Sequence, residues 1–227
     1  DLTELMAREN EFSIDVKRFN QCMVQQRDRA RGAGKFRKEV NNTDWNLIGK
    51  ESETEFTGYD ELETNARIIK YSQVEGRCKI VLDKTPFYAE SGGQISDDGY
   101  LASEGFLFKV EDVQKSGNEF IHFGIIEEGD IENIKIVDAR INSSHRQQIC
   151  RNHTGTHLLH QAMKEIIGDH VQQAGSMVTP ELLRFDLTHY EQITNSQIGE
   201  LEKQVNSIIL QNIEVTTEIK NYKDAQE

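Results

Sequence analysis

The sequence predicts an α+β protein in three successive parts: an N-terminal helix, a small β-barrel and a mixed α+β segment. Three observations carry that expectation. Apolar residues recur at helical spacing near the N-terminus, short β runs separated by turn residues fill the middle, and a helical period returns at His153. The parts divide at residues 1–40, 41–145 and 146–227.

The first element rests on Phe12, Val16, Phe19 and Met23, which share one face of a helix running from about Ser13 to Arg31. Gly32-Ala33-Gly34 supplies its stop and begins a linker. Between Lys17 and Lys38 lie eight basic residues (Lys17, Arg18, Arg27, Arg29, Arg31, Lys35, Arg37, Lys38) and one acid, Asp28. That segment carries +7 in a chain of net charge −13, so the remainder carries −20. A local basic stripe is what phosphate contact requires, because neutralising phosphates releases counterions. A solvated helix end followed by a linker would look the same.

From about Thr54 to Ile141 the pattern changes to β runs: Arg67–Tyr71, Lys79–Asp83, Phe106–Val110, Phe120–Phe123 and Ile134–Val137. Glu75-Gly76, Gly92-Gly93, Asp98-Gly99, Ser116-Gly117-Asn118 and Glu128-Gly129-Asp130 separate them with turn chemistry. Many short strands at this spacing point to a barrel. Beyond His153, Leu159, Met163 and Ile166 form a helical face that ends at Gly168. A strand pair follows at Val171–Ser176 and Leu183–Leu187. On the second strand Phe185 points to the core, and Arg184 and Asp186, on the other face, either form a structural salt bridge, the favoured reading, or line a pocket. Thr194-Asn195-Ser196-Gln197 is a capping box opening a helix with Ile198, Leu201, Val205 and Ile208 on one side. Glu214–Ile219 has strand composition.

Several classes are excluded. No apolar run approaches the ~20 residues that span a bilayer. The chain opens Asp1-Leu2-Thr3-Glu4, with neither methionine nor signal peptide, as an excised internal fragment would. Three cysteines without a CxxC pair argue for a reducing cytoplasm and against a disulfide framework.

The chemistry concentrates in Arg151–His160, RNHTGTHLLH. His153 and His157 are four residues apart, so on a helix they lie on one side, and two imidazoles so placed reach one zinc ion at about 2.0–2.1 Å. His160 shares that face, while His122, His145 and His189 have no partner visible in sequence and are read as ordinary polar residues. This is not the metalloprotease HExxH, because Thr154 stands where the general-base glutamate would be. A surface or core-edge histidine pair has the same spacing. Cys150, from the turn preceding the helix, is the nearest candidate for a third ligand, with His170 and His189 more remote. Its alternative role is that of a small buried hydrophobe. In Pro86–Gln94, PFYAESGGQ, the two glycines allow positive φ or close backbone approach, and a hairpin or bulge inside the barrel accounts for them.

Taken together, these stretches resemble the alanyl-tRNA synthetases. KTPFYAESGGQISDDGYL is similar to their FYAExGGQxxDxG signature, NHTGTHLLHQAMKEIIGDHVQQAGSMVTPELLRFDLTH resembles the start of their editing domain, and FNQCMVQQRDRAR resembles the preceding helix of bacterial members. The resemblance implies the tail of a helical tRNA-binding region, a barrel like the second domain of translation elongation factors, and the first part of an α+β editing domain. It implies tRNA(Ala) as partner. It also implies that His153 and His157 are zinc ligands and that Gln173 senses the hydroxyl of a mischarged serine.

The family completes its zinc site with a downstream CxxxH, which these 227 residues lack, as they lack the class II motifs that bind ATP and magnesium. The resemblance therefore predicts half of a zinc site and no alanine ligation by this stretch alone. A free-standing editing hydrolase and a non-catalytic RNA-binding fragment are the alternatives.

Overall fold

The computed structural model of the chain describes residues 7, 12–13, 15–33, 44–50, 52–74, 76–214 and 221, with the backbone alone over 25–33. It divides into two compact units, residues 1–45 and 46–227.

In the first unit, α1 runs Val16–Ala33. It starts three residues later than predicted because Asp15 Oδ1 accepts the Arg18 amide at 2.9 Å, the bond that marks an N-cap. The predicted stripe of Phe12, Val16, Phe19 and Met23 is exposed along its whole length. Most of the basic side chains of this segment lie outside the described residues.

The second unit opens with β1 (Asn46–Leu47), β2 (Glu55–Phe56), β3 (Glu63–Val74), β4 (Arg77–Leu82) and β5 (Lys84–Thr85). It continues with β6 (Gly99–Ser103), β7 (Phe106–Ser116), β8 (Glu119–Glu128) and β9 (Ile136–Ile141). Six strands close a ring in the order β3-β4-β8-β7-β6-β9-β3, every pair antiparallel. Closure depends on β3, which pairs with β9 over Glu63–Arg67 and then with β4 over Ile68–Val74. A bulge between Ile68 and Lys70 bends it from one neighbour to the other. Gly124 sits where β8 crosses β7, and a Cβ there would stand 1.8 Å from the Lys109 carbonyl oxygen, so only glycine fits.

Phe87, Phe108, Ile80, Leu82 and Leu101, all at 0% exposure, fill the interior. His122 joins them, which corrects its reading as an ordinary polar residue. One ring nitrogen lies 2.8 Å from Thr85 Oγ1 and the other 3.1 Å from the Ile80 carbonyl, and the ring meets Phe87 edge-on. Full burial pushes its pKa down to about 4 and keeps it neutral.

After the barrel come α2 (Ser143–Ile166), the hairpin β10 (Gln172–Val178) and β11 (Leu183–Thr188), and α3 (Asn195–Ile209). The second helix begins ten residues before His153. Asn142 caps it by accepting the His145 amide, and its first turns carry few apolar residues for periodicity to detect. Cys150 therefore lies within the helix and is exposed, not in a preceding turn and not buried. The capping box at Thr194 and Gln197 forms as predicted. Ala162, Met163, Val171 and Leu201 form a small core, flanked by Leu159, Phe185, Leu187 and Val205. Arg184 pairs with Asp186 at 3.0 Å on the outer face of β11. The strand expected over residues 214–219 falls almost wholly outside the described residues.

A buried latch ties α2 to the barrel. Arg146 donates to Asp97, to the Gly58 carbonyl at 2.7 Å and to the Pro86 carbonyl at 2.9 Å. The Asp97 side chain is only 2% exposed. Beside it, His145 Nδ1 lies 3.0 Å from Asp98 Oδ1, a partner not visible in sequence. Among the described residues no helix is long and apolar enough to cross a membrane.

Candidate functional site

The site is built from three elements: the middle of α2, the start of β10, and the loop between β5 and β6. Along α2, Asn152 donates to the carbonyls of Thr179 and Pro180 in the β10–β11 turn, at 2.8 and 3.2 Å. Thr156, buried, turns its hydroxyl back to the Asn152 carbonyl at 2.8 Å. These bonds fix the rotation of the helix and set His153 and His157 side by side. Their rings stack with centroids 5.0 Å apart and planes 16° from parallel. Burial, reinforced by the neighbouring His157 ring, holds His153 below the usual imidazole pKa. His160 departs from the pair: its ring packs on Phe185, with centroids 5.0 Å apart, and its Nε2 is buried without a hydrogen-bond partner.

Gln173 is the second residue of β10, where a register shift between Gln173 and Gly175 marks a bulge, a device that re-aims side chains. The residue is exposed, and its amide donates to Ser176 Oγ at 3.1 Å.

The third element is Ser91-Gly92-Gly93-Gln94. Ser91 and Gln94 exchange backbone hydrogen bonds of 3.1 and 3.0 Å across the two glycines, whose φ values are +61° and +86°. Two successive positive φ values are the signature of a type I′ turn, for which Gly-Gly is suited. The predicted hairpin turn is therefore present, but it is not internal to the barrel. Its outer edge pairs with β10: the Val178 amide donates to the Gly93 carbonyl at 2.8 Å and the Ile95 amide to the Val178 carbonyl at 3.2 Å. Ser176 Oγ donates to the Gly92 carbonyl at 3.3 Å. A Cβ on Gly93 would lie 2.4 Å from the Ser176 carbonyl oxygen, so the loop docks only as glycine. Gln94, 6% exposed, then places its side-chain oxygen 2.7 Å from His153 Nδ1.

The structure thus brings His153 and His157 together and joins both them and Gln173 to the barrel loop. No third His, Cys, Asp or Glu completes a metal-binding group with the pair among the described residues, so Cys150 is not brought into it. His170 and His189 lie against each other instead, with ring nitrogens 2.8 Å apart. Two imidazoles on one helix face suit zinc as part of a donor set of four. Gln94 and Ser176 carry no sequence signal of a role at this site. The Gly-Gly pair was visible, but not the surface it approaches.

A family model described as tRNA synthetases class II (A) matches residues 1–145, ending within the first turn of α2. The chain is 41% identical to an alanine–tRNA ligase of Chromohalobacter salexigens over 222 residues, covering 93% of this chain and 25% of that protein. It is 40% identical to the alanine–tRNA ligase of Thermoanaerobacter sp. (strain X514) over 235 residues, covering 99% of this chain and 27% of the relative. It is 39% identical to that of Legionella pneumophila (strain Corby) over 237 residues, covering 100% and 27%. The chain spans about a quarter of the length of the curated relatives it matches. By the family model and these relatives together, the chain belongs to the class II (A) tRNA synthetases.

Proposed function

We propose that this chain forms part of a cytoplasmic enzyme that ligates alanine to tRNA(Ala), and that residues 146–227 contribute to a site hydrolysing mischarged Ser- and Gly-tRNA(Ala). The observation that carries the editing half is the stacked His153–His157 pair, bonded through His153 to Gln94 of the same barrel loop that Ser176, the partner of Gln173, also contacts. The reason for such a site is physical. A pocket sized for alanine cannot shut out smaller glycine by sterics, and serine adds only one hydroxyl, so discrimination by binding alone falls short and a second hydrolytic step is needed.

In this reading His153 and His157 hold zinc, with the remaining donors supplied from outside the described residues. Zinc bound there serves to anchor the aminoacylated 3′ end or to polarise the water that attacks its ester. Gln173, exposed at the bulge and tethered to Ser176, offers its amide to the serine hydroxyl. The basic segment from Lys17 to Lys38 gives the tRNA backbone a counter-charge. ATP and magnesium belong to the ligation reaction, to which no residue of this chain is assigned. A free-standing hydrolase is disfavoured, because helix and barrel fall together under one synthetase model, residues 1–145.

The test is hydrolysis of Ser-tRNA(Ala) by the complete ligase with and without H153A/H157A. Loss of hydrolysis with aminoacylation retained is expected. Unchanged hydrolysis in the double variant overturns the reading.

A further inference from the structure

The barrel residue Gln94 makes a contact that the proposed function leaves unexplained. It belongs to a different layer of the protein from α2, yet its side chain is buried and ends on a histidine of that helix. Its backbone is fixed on both sides. Its N–H and C=O are both spent on Ser91, the adjoining Gly93 and Ile95 are bonded to Val178, and Gln94 itself is bridged in parallel to Val178. A side chain on so constrained a backbone has little freedom left, so the 2.7 Å contact is an imposed one.

A glutamine carbonyl can only accept. Facing Nδ1 with its oxygen, Gln94 requires the Nδ1–H tautomer of neutral His153, and the lone pair is then on Nε2. We infer that Gln94 is a positioning residue: it selects the tautomer and ring orientation of His153, making Nε2 the nitrogen available to a ligand on the α2 face. The barrel is then a working part of the α+β site and not only its support. The geometry of the turn follows from the same need. Positive φ at Gly92 and Gly93 and the absence of a Cβ at Gly93 let the loop come close enough to β10 for Gln94 to reach the helix.

The ligand in question is the zinc of the reading above, on which this consequence rests, but the tautomer does not depend on metal. Partners that fix a ligating histidine in this way typically change metal affinity 10–100-fold when removed.

The experiment uses the metal-free 227-residue chain, with the tautomer of His153 read from its imidazole nitrogen shifts by NMR. Zinc affinity is measured in parallel on the complete ligase and its Gln94 variants by competition with a chromophoric chelator. The native protein is expected to show His153 protonated at Nδ1. Gln94→Met, of similar length but without an acceptor, should move the proton toward Nε2 and weaken zinc about 10–100-fold. Gln94→Glu, which keeps an acceptor in place, should restore the native tautomer. His157 serves as internal control and should not change in either variant. An unaltered His153 tautomer in Gln94→Met overturns the inference. So does a tautomer change that Gln94→Glu fails to reverse. A reversible tautomer change with no zinc uptake by any of the three proteins sustains the positioning role and overturns the metal reading instead.

Discussion

The barrel and the α+β segment solve the same problem in opposite ways. The barrel closes on itself: β3 reaches both β4 and β9, no strand of the ring lacks a neighbour, and the side chains of Ile80, Leu101 and Phe108 are withdrawn from water entirely. The α+β segment stays open. Among the described residues its sheet has two strands, its core holds Ala162, Met163, Val171 and Leu201, and Ile198, Ile209 and Leu210 remain 43%, 54% and 84% exposed. A groove of about 580 Å³ runs between its helices, lined by Leu159, Met163, Ile198, Leu201 and Val205. A closed sheet satisfies its own edges and buries one face completely. Two helices on a hairpin cannot, so their order depends on what they lean against. Here that is the barrel, through Arg146–Asp97, Gly93–Val178 and Gln94–His153.

The largest test of this difference is Arg146→Ala. It leaves Asp97 as an unpaired buried carboxylate and orphans the Gly58 and Pro86 carbonyls, a loss of about 3–5 kcal/mol by analogy with other broken buried pairs. Amide exchange should rise sharply in α2, α3 and the β10–β11 hairpin, with the barrel strands still protected. Equal loss of protection in β4 and β8 would mean that the two regions fold as one and that the asymmetry is only apparent.

His122 tests the barrel from inside. Its folded pKa of about 4 lies below the unfolded imidazole value of 6.5, so between those values the unfolded chain takes up the proton and the folded one does not. The stability contributed by neutral burial is complete above pH 6.5 and is lost as pH falls toward 4, by about 3 kcal/mol in all. Urea unfolding of the barrel followed from pH 7 to 4 should show that decline, and a His122→Leu variant should lack this component of it. A parallel decline in the variant would assign the pH dependence to other groups.

The smallest expected effect is that of Gly93→Ala, about 1–3 kcal/mol for a non-glycine residue held at positive φ, with further displacement forced by the Ser176 carbonyl. It should free the Val178 amide to exchange and shift the His153 ring resonances without changing the barrel. If the amides of β7 or β8 respond as strongly, the loop belongs to the barrel core and not to the junction.

Much of this was legible in sequence because the signals were local. Turn glycines and β-branched runs marked β3, β4, β7 and β8. Thr194 and Gln197 announced their own capping box, and the spacing of His153 and His157 put both on one helix face. Elements without a local signature escaped. The first turns of α2 were missed because what they offer the core is mainly the guanidinium of Arg146, and an ion pair with Asp97 has no period. Short β6, Gly99–Ser103, shows no β-run of its own and gains its place from β7 and β9 on either side.

By itself, then, the sequence determined the family, the order of helix, β and α+β elements, and the placing of His153 and His157 on one helix face. These follow from short-range periodicity, turn chemistry and the wording of the motifs. Only the tertiary structure decided that β3 closes the barrel, that His122 is buried and neutral, that His160 turns away to Phe185, and that Gly92-Gly93-Gln94 leaves the barrel to meet β10 and His153. Each of those is a contact between residues far apart in the chain. Such a contact forms where the backbone geometry of both partners allows the approach, and neither partner's local sequence encodes the other.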